Sequence, residues 1–379
     1  MNDLKTVYLS LGSNLGNKLY QLQRAIFSIG EKVGTILDIS NVYESASWGF
    51  DSDDFLNSCI SVRTRLSPIL LLEKIKEIEK TLGREEYTGE GYQARSIDID
   101  IIYYEHEIVQ TDLLVIPHPS LEQRQFVLRP LNDIAPQFYH PIHNKDTRNF
   151  MQMCRDKTPI KKTNLKLYKT QEYLFSKLNY IAIEGNIGAG KTTLANKIAE
   201  DFNAKLILEQ FAENPFLPKF YKNQARYAFP LEMSFLAERY QQFTDDTSQF
   251  DLFKSFLVSD YDIYKSIIFA KVTLQEDEFK LYRKVFNFMH KELKKPGLYV
   301  YLYQNTERLL ENIKKRNRDY EQGIPPDYLD KINRGYLDFI KNAPDHNTLI
   351  IDISELDFVK HKKDYEIIIE KITEFSVSL

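Results

Sequence analysis

Apolar and polar positions alternate in short runs through the first 155 residues, which indicates interleaved strands and helices. Leu19, Leu22, Ile26 and Ile29 have helical spacing, whereas residues 96–104 alternate as a half-buried strand does. We predict strands at 7–13, 36–48, 54–64 and 96–104, and helices at 18–32 and 67–83. Elements in this order predict an α+β sandwich, with helices packed on the face of one antiparallel sheet.

From residue 180 onward the strands are continuously apolar. We expect strands at 180–185, 205–211, 297–304 and 347–354, and helices at 192–202 and 358–375. Buried strands separated by helices predict an α/β domain with a doubly wound parallel sheet. Residues 158–178 are lysine-rich and lack a long hydrophobic period, so we interpret them as a linker between domains at 1–157 and 179–379.

Composition narrows the class of protein. The chain has 379 residues, 43% apolar and 27% charged, which is typical of a globular protein of one or two domains. A net charge of −4 argues against a nucleic-acid partner. The sequence contains no run of 18 apolar residues, so we expect neither a membrane span nor a membrane partner. The two cysteines, Cys59 and Cys154, argue against a disulfide framework and favour a cytoplasmic location.

The motif ARSIDIDII at 94–102 places two carboxylates on one face of a strand. Asp98 and Asp100 are two residues apart and therefore point together. Neighbouring carboxylates repel each other unless a cation lies between them, and Mg²⁺ prefers carboxylate and phosphate oxygens. Arg84 and Arg124 are candidate phosphate ligands, because guanidinium matches phosphate bidentately. A solvent-facing edge strand would give the same pattern, so the motif by itself leaves both interpretations open.

Six motifs in this half occur together and in a fixed order. They are LSLGSNLGN near the start, YESASWG at 43–49, DFLNSC at 54–59, Gly83-Arg84, SIDIDII at 96–102 and IPHPSLEQRQFVLRPLNDIAP at 116–136. Over about residues 5–155 the chain therefore resembles 6-hydroxymethyl-7,8-dihydropterin pyrophosphokinase of the folate pathway. The resemblance implies a ferredoxin-like fold and transfer of pyrophosphate from ATP to 6-hydroxymethyl-7,8-dihydropterin, with release of AMP.

The same resemblance implies roles for individual residues. Asp98 and Asp100 match the ligands of two magnesium ions, Arg84 and Arg95 match the arginines that close on the triphosphate, and His118 and Arg124 match further ATP contacts. The positions that match the pterin site are Ser45, Trp48, Phe55, Asn57 and Phe126. Phe55 and Phe126 would stack on the two faces of the pterin ring. The chain departs from the family in a mobile loop, where Tyr92, Gln93 and Ala94 replace a W-G-P run.

The segment GNIGAGKT at 185–192 has the spacing of a P-loop and lies between a predicted strand and a predicted helix. The backbone N–H groups around Gly185, Gly188 and Gly190 would bind ATP phosphates, together with the helix N-terminus. Lys191 would reach the β- and γ-phosphates, and the Thr192 hydroxyl would bind Mg²⁺. The alternative is a chance glycine-rich turn.

Glu209 lies at the end of the next predicted strand, where doubly wound sheets bind their ligands. A carboxylate there could accept a proton from an attacking hydroxyl, although a capping or solvated glutamate would have the same position. The surrounding motifs are IEGNIGAGKTT at 183–193, LEQFAENPFLPKFY at 208–221, FPLEMSFLAERY at 229–240 and RNRDYEQGIPPDYL at 316–329. Together they make residues 180–353 resemble the deoxynucleoside kinases.

This second resemblance implies transfer of the ATP γ-phosphate to the 5′-hydroxyl of a deoxynucleoside. Glu209 matches the catalytic base, and Tyr221 and Glu321 match the residues that hold the 3′-hydroxyl. Arg316 and Arg318 match the lid arginines, and Glu232 and Arg239 match residues of the nucleobase pocket. The resemblance also implies a homodimer formed through the long helices of this domain. Both halves would use ATP and Mg²⁺ with small-molecule substrates, the pterin in one and a deoxynucleoside in the other.

Two departures qualify this interpretation. The family's D-R-S or E-R-S arginine is absent, because the chain has Asp260-Tyr261-Asp262. Glu232 stands where the family has glutamine, and an ionised carboxylate only accepts hydrogen bonds, which suits guanine and favours purines. The second half could instead be a non-catalytic nucleotide-sensing or dimerising module, or a nucleoside-monophosphate kinase. We expect the deoxynucleoside kinase, because the P-loop, Glu209 and the lid arginines are all present.

Overall fold

The computed structural model describes residues 3–47, 52–84, 94–210, 214–248, 253–291, 293–318, 321–342 and 346–379. Contacts divide the chain into two compact units, of which the first ends at Leu174 and the second begins at Phe175. This division falls inside the segment 158–178 that we interpreted as a linker. The functional boundaries at 157 and 179 remain predictions.

The first unit is built on a sheet of antiparallel strands. Its strands are β1 (Lys5–Ser13), β2 (Gly34–Ile39), β3 (Tyr43–Ser45), β4 (Phe55–Thr64), β5 (Asp98–Tyr104), β6 (Val109–Gln110), β7 (Val115–Ile116) and β8 (Ile160–Lys162). The sheet runs in the order β5-β1-β4-β3-β8, with β2 also paired to β4, while β6 and β7 form a separate pair. The helices are α1 (Lys18–Lys32), α2 (Pro68–Thr81), α3 (Gln125–Ile134) and α4 (Thr147–Met153).

Helices cover both faces of this sheet. Ile60 of β4 belongs to one core with α1 and α2, whereas its neighbour Cys59 belongs to another core with α3 and α4. Adjacent residues of a strand point to opposite faces, so the two helix pairs lie on opposite sides. The α+β sandwich is as predicted, but it has a second helical layer.

The predicted strand at 36–48 is divided into β2 and β3, which both pair with β4. Ser40 lies at the break, and its hydroxyl accepts the Cys59 N–H at 2.9 Å. The Ser40 N–H donates to the Cys59 carbonyl at 2.9 Å. A side chain thus replaces one backbone acceptor, which keeps the buried groups of β4 paired where the ladder is interrupted.

The predicted linker is partly ordered against the first unit. Its residues 160–162 form β8, which pairs antiparallel with β3. Further along, Gln23 of α1 exchanges two hydrogen bonds of 2.8 Å with the backbone of Tyr168. A short helix, α5 (Gln171–Ser176), follows. The first part of the segment is therefore structured, and not a free connection.

The second unit is built on five parallel strands. They are β9 (Tyr180–Gly185), β10 (Lys205–Ile207), β11 (Leu257–Ser259), β12 (Leu298–Tyr303) and β13 (Thr348–Asp352), in the order β10-β11-β9-β12-β13. The helices are α6 (Lys191–Asp201), α7 (Leu217–Lys222), α8 (Gln224–Ser248), α9 (Tyr264–Thr273), α10 (Glu276–His290), α11 (Thr306–Arg316), α12 (Pro326–Asn342) and α13 (Lys362–Val377). Over the residues described, no helix is long and apolar enough to cross a membrane.

The parallel sheet confirms the predicted α/β domain, with two differences in its strands. β10 ends at Ile207, so Glu209 lies just beyond the strand instead of within it. β11 was not predicted, although it pairs with both β9 and β10. With three residues it is too short to show a period in the sequence. The consequence is that Asp260, directly after β11, lies at the same sheet edge as the P-loop.

Candidate functional sites

Strand β5 presents Asp98 and Asp100 on one face, while Ile99 between them is buried in the core. Two arginines bind the Asp98 carboxylate. Arg84 Nη1 lies 2.9 Å from Oδ1, and Arg95 Nη1 lies 2.6 Å from Oδ2. The structure therefore brings together four residues that the sequence analysis selected, at one end of the edge strand of the sheet.

Asp100 faces a second pair of predicted residues. Arg124 Nη1 lies 3.4 Å from its Oδ2, and His118 Nε2 lies 3.9 Å from the same atom. Burial and the charge of Asp98 raise the pKa of Asp100 to about 6, as expected for carboxylates side by side. The two carboxylates offer hard oxygen atoms, which is the donor set that a divalent cation takes.

His118 is neutral at pH 7, because burial and the positive charge of Arg124 lower its pKa to about 4. Its Nδ1 accepts the Ser120 N–H at 3.2 Å, so the ring proton is on Nε2, the atom nearest Asp100. His118 can therefore donate a hydrogen bond to an oxygen ligand without adding charge.

Glu79 is a site residue that the sequence analysis missed. This buried carboxylate of α2 accepts the Ile99 N–H at 2.8 Å and forms an ion pair with Arg84. Burial raises its pKa to about 7, although Arg84 opposes the shift. Glu79 thus ties Arg84 to the strand that carries both aspartates. The sequence could have indicated Glu79, because an acidic residue four positions after Ile75 lies on the apolar face of the helix.

Asn14, in the first quoted motif, was also missed. Its Oδ1 accepts the Arg95 N–H at 2.7 Å, and its own N–H donates to the Arg95 carbonyl at 3.1 Å. Its Nδ2 donates to the Ser52 hydroxyl at 2.8 Å. Asn14 therefore fixes the backbone of Arg95, which explains why a polar residue is buried at this turn.

The predicted pterin residues lie on β3, β4 and α3. The Asn57 amide donates to the Ser45 hydroxyl at 2.9 Å, and both side chains are buried. Phe55 begins β4 and borders Gly12, where a Cβ atom would lie 3.6 Å from the Phe55 ring. Phe126 lies in the first turn of α3, and the Arg124 guanidinium lies 5.7 Å from the centre of its ring. Trp48, with the loop residues Tyr92 and Gln93, lies outside the described residues.

The P-loop follows β9 and leads into α6, as predicted. Gly190 precedes the helix with a φ of +82°, and a Cβ atom there would lie 2.7 Å from the Phe358 ring. Gly188 has a φ of +87°, a backbone conformation that other residues rarely adopt. Both positions therefore require glycine. A glycine turn that leads into a helix N-terminus offers free backbone N–H groups, which suits an anionic phosphate.

Asp260 links the P-loop to Glu209. The Thr192 hydroxyl donates to Asp260 Oδ2 at 2.5 Å, and the Glu209 N–H donates to Oδ1 at 2.7 Å. Lys191 donates to the Asn186 carbonyl at 2.9 Å, and burial, with the nearby Lys265 charge, lowers its pKa to about 8. The sequence analysis recorded Asp260 only as part of a departure, but its carboxylate joins two predicted site residues.

Glu209 is enclosed by two cations. Arg239 approaches Oε1 with Nε at 2.8 Å and Nη2 at 2.6 Å, and Lys265 Nζ lies 2.5 Å from Oε2. The three side chains are between 5% and 9% exposed. Burial alone would raise the pKa of Glu209, but Lys265 and Arg239 outweigh it and hold the pKa well below its ordinary value. The carboxylate is therefore ionised.

One pocket is lined by most of the predicted residues of this half. Its lining includes Gly188, Lys191, Thr192, Glu209, Tyr221, Glu232, Arg239, Arg316, Arg318 and Glu321. Glu321 is buried and accepts Arg316 Nε at 3.0 Å and Arg318 Nη1 at 3.4 Å. The two lid arginines are thus held at the pocket by the residue that matches the 3′-hydroxyl ligand.

Glu232 is buried at the other side of this pocket. Its Oε1 accepts the Thr273 hydroxyl at 3.0 Å, whereas Oε2 has no hydrogen-bond partner among the described residues. Burial raises the pKa of Glu232 to about 7, although Arg239 opposes the shift. A buried carboxylate oxygen without a partner is costly in the free protein, which points to a ligand that donates to it.

Comparisons with known proteins match each half of the chain to a family of kinases. A family model of 7,8-dihydro-6-hydroxymethylpterin-pyrophosphokinase matches residues 8–136, and one of deoxynucleoside kinase matches residues 181–377, more than half of the chain. A 2-amino-4-hydroxy-6-hydroxymethyldihydropteridine pyrophosphokinase of Aquifex aeolicus is 45% identical over 39% of this chain and 91% of that protein. The chain belongs to both families.

Other relatives match the deoxynucleoside kinase half. A deoxyguanosine kinase of Bacillus subtilis is 38% identical over 46% of this chain and 86% of that protein. A solved structure of deoxyadenosine kinase from M. mycoides with bound dATP is 27% identical, with a TM-score of 0.45 over 51% of this chain and 98% of that chain. The protein is thus a bifunctional enzyme, an ATP-dependent hydroxymethyl-dihydropterin pyrophosphokinase followed by a deoxynucleoside kinase.

We predict that Asp98→Ala abolishes AMP formation and leaves deoxynucleoside phosphorylation unchanged. The substitution removes the carboxylate that Arg84 and Arg95 bind, and loss of a charged group from a phosphoryl-transfer site costs about 100-fold or more in turnover. AMP and ADP are measured in parallel on one preparation. Asp112→Ala, at an exposed position of the same unit, should retain both activities. If Asp98→Ala loses both activities, the two sites are not independent.

Proposed function

We propose that the deoxynucleoside kinase half prefers deoxyguanosine and that Glu232 recognises its base. The observation that carries this proposal is the buried Oε2 of Glu232, which lines the pocket without a protein partner among the described residues. Guanine offers two adjacent donors, N1–H and the N2 amino group, to an ionised carboxylate that only accepts. The similarity to a deoxyguanosine kinase of Bacillus subtilis supports the same choice.

The proposed transfer places Glu209 at the 5′-hydroxyl. Glu209 accepts the hydroxyl proton while the 5′ oxygen bonds to the γ-phosphorus, and the bond from that phosphorus to the ADP oxygen breaks. Tyr221 and Glu321 hold the 3′-hydroxyl, and Arg316 and Arg318 stabilise the phosphate charge. The P-loop residues Gly185, Gly188, Gly190, Lys191 and Thr192 bind the ATP phosphates. Gly188, Lys191 and Thr192 line the same pocket as Glu209, which supports this assignment.

For the pyrophosphokinase half, the hydroxymethyl oxygen of the pterin attacks the β-phosphorus of ATP, and AMP leaves. Arg84, Arg95, His118 and Arg124 would bind the phosphates, which their contacts with the aspartate pair support. Ser45, Trp48, Phe55, Asn57 and Phe126 would hold the pterin. Aromatic rings provide a flat apolar surface for such a heterocycle.

We infer that Mg²⁺ serves both halves. Asp98 and Asp100 would hold it in the first, and the Thr192 hydroxyl would contribute in the second. The carboxylate pair supplies the oxygen donors that Mg²⁺ prefers, and burial and the charge of Asp98 raise the pKa of Asp100, which supports a cation beside it. When bound, the ion neutralises phosphate charge during transfer. The chain's own arginines and lysines orient the phosphates around it.

A homodimer through the second unit is also proposed. Leu281 and Phe288 are 53% and 78% exposed on α10, and they lie seven residues apart on one face of the helix. Exposed apolar side chains on one face are typical of an interaction surface. The cytoplasmic location remains a prediction from the cysteines, which are both free and buried.

We predict that selectivity for deoxyguanosine over deoxyadenosine falls as the pH is lowered from 8 to 6. Above its pKa of about 7, Glu232 is ionised and accepts both guanine donors. Below it, the protonated carboxyl donates one bond and accepts one, which matches adenine N1 and N6 instead. The ratio of the two kcat/KM values should change by about tenfold per pH unit below the pKa. Ionisations that change kcat/KM equally for both substrates do not affect the ratio of the two kcat/KM values.

The matched control is Glu232→Gln, whose amide does not titrate and both donates and accepts. It should favour deoxyadenosine at every pH and abolish the pH dependence of the ratio. A ratio that is independent of pH in the wild-type protein, or equally dependent in Glu232→Gln, would contradict base recognition by Glu232.

For the proposed dimer, light scattering of the wild-type protein should give twice the chain mass of 44.6 kDa. Phe288→Lys should shift the protein toward the monomer, because it places a charge in an apolar interface. Arg283→Glu, exposed on another side of α10, should leave the mass unchanged. A wild-type mass of one chain would exclude this dimer.

A further inference from the structure

The deoxynucleoside kinase resemblance expects an arginine directly after Asp260, where this chain has Tyr261. Tyr261 is buried, and its hydroxyl has no hydrogen-bond partner among the described residues. Burial and the nearby charge of Glu209 raise the pKa of this phenol well above its ordinary range. Position 261 directly follows Asp260, whose carboxylate accepts the Glu209 N–H at 2.7 Å, but it brings no positive charge.

Lys265 supplies a positive charge at this place from another element. It lies in the first turn of α9, with its Nζ 2.5 Å from Glu209 Oε2 and only 9% of its side chain exposed. A lysine is rarely buried unless it is paired, so this ion pair accounts for its position. The same pocket is lined by Lys191 of the P-loop, which places Lys265 beside the phosphate-binding residues.

The segment that replaces D-R-S also positions Lys265. The Asp262 carboxylate accepts the Tyr264 N–H at 3.0 Å, and its carbonyl accepts the Lys265 N–H at 3.1 Å. The Asp262 N–H in turn donates to the buried Glu184 carboxylate at 2.7 Å. These bonds start α9 directly after β11, and they fix the backbone from which Lys265 reaches Glu209.

The two oxygens of Glu209 are held unequally. Oε1 receives two N–H groups of Arg239, whose Nη1 donates to Ser266 at 2.7 Å, so this guanidinium is bound on two sides. Oε2 receives Lys265 Nζ. An ammonium on a flexible stem moves more easily than a planar guanidinium with several fixed bonds. Oε2 is therefore the oxygen that can accept a substrate hydroxyl while a positive charge stays beside it.

We propose that Lys265 is a positioning residue that replaces the absent D-R-S arginine and holds Glu209 Oε2 toward the 5′-hydroxyl of the deoxynucleoside. The inference rests on the proposed role of Glu209 as the proton acceptor. The inference accounts for the Asp260-Tyr261-Asp262 segment, because Lys265 provides the positive charge that position 261 lacks. The altered motif is then a different way to build the same site, and not a sign of lost catalysis.

The test compares single-site variants of the full-length chain with deoxyguanosine as substrate. Lys265→Met removes the charge, and kcat should fall about 100-fold with KM changed less than about threefold, because a misplaced reacting group affects turnover more than binding. Lys265→Arg keeps the charge and should retain most of the turnover. Lys271→Met, at an exposed lysine of the same helix, is the matched control and should behave as the wild type.

A double variant returns the charge to the family's position. Tyr261→Arg combined with Lys265→Met should recover at least about tenfold of the turnover that Lys265→Met loses, since position 261 follows Asp260, whose carboxylate accepts the Glu209 N–H. Thermal unfolding checks that each variant is folded. If Lys265→Met does not fold, the double variant tests the proposal. Turnover of deoxyguanosine by the double variant supports the proposal, and a double variant that is folded but inactive contradicts it.

Glu209→Gln separates this inference from the proposal on which it rests. If Glu209→Gln loses its turnover while Lys265→Met keeps wild-type kcat, Glu209 acts without Lys265, and the inference alone is wrong. If Glu209→Gln keeps near-wild-type turnover, the proposed proton acceptor is wrong, and the role of Lys265 with it.

Discussion

Glu209 keeps its negative charge inside the protein because Arg239 and Lys265 bind its two oxygens. A buried carboxylate without such partners would take up a proton, since burial disfavours the charged form. The two cations come from α8 and α9, so their ion pairs join both helices to the end of β10. The geometry of the pocket depends on these contacts, because Glu209 lines it together with Lys191, Thr192 and the lid arginines.

The same constraint shapes the pyrophosphokinase half in another way. Asp98 is neutralised by Arg84 and Arg95, and Arg124 approaches Asp100. The raised pKa of Asp100 indicates that these arginines leave a need for further positive charge. A site that gains from added cations is suited to a substrate that arrives with a metal ion. In the deoxynucleoside kinase half, Arg239 and Lys265 neutralise the charge of Glu209.

In both halves a second buried acid connects the site to the backbone. Glu79 accepts the Ile99 N–H and pairs with Arg84, and Asp260 accepts the Thr192 hydroxyl and the Glu209 N–H. Neither acid needs to touch a substrate to matter. Each fixes a group that we propose to contact a substrate, which explains why a carboxylate is retained where burial disfavours its charge.

The sequence predicted the parts of each site that have a fixed local spacing. The D-x-D pair, the P-loop and the lid arginines are such parts, and the structure brings the P-loop and the lid arginines into one pocket with Glu209. Residues whose partners are distant in the chain could not be found this way. Lys265 reaches a glutamate 56 residues earlier, and Glu79 reaches a strand 20 residues later. Strand β11 was missed because three residues show no period, and so the placement of Asp260 was missed with it.

The hypothesis of a non-catalytic second half rested on the absent arginine. Lys265 weakens it, because the charge that the arginine would bring is present beside Glu209. The remaining sequence features that favoured catalysis are all assembled around the same pocket.

The central claim is that one chain carries two different phosphoryl-transfer activities. The most direct measurement is a product assay on the purified full-length protein with Mg–ATP, using hydroxymethyl-dihydropterin and each of the four deoxynucleosides as separate acceptors. The account predicts AMP with the pterin and ADP with the deoxynucleosides, with deoxyguanosine the best of the four. AMP with the pterin but no ADP with any deoxynucleoside would contradict it.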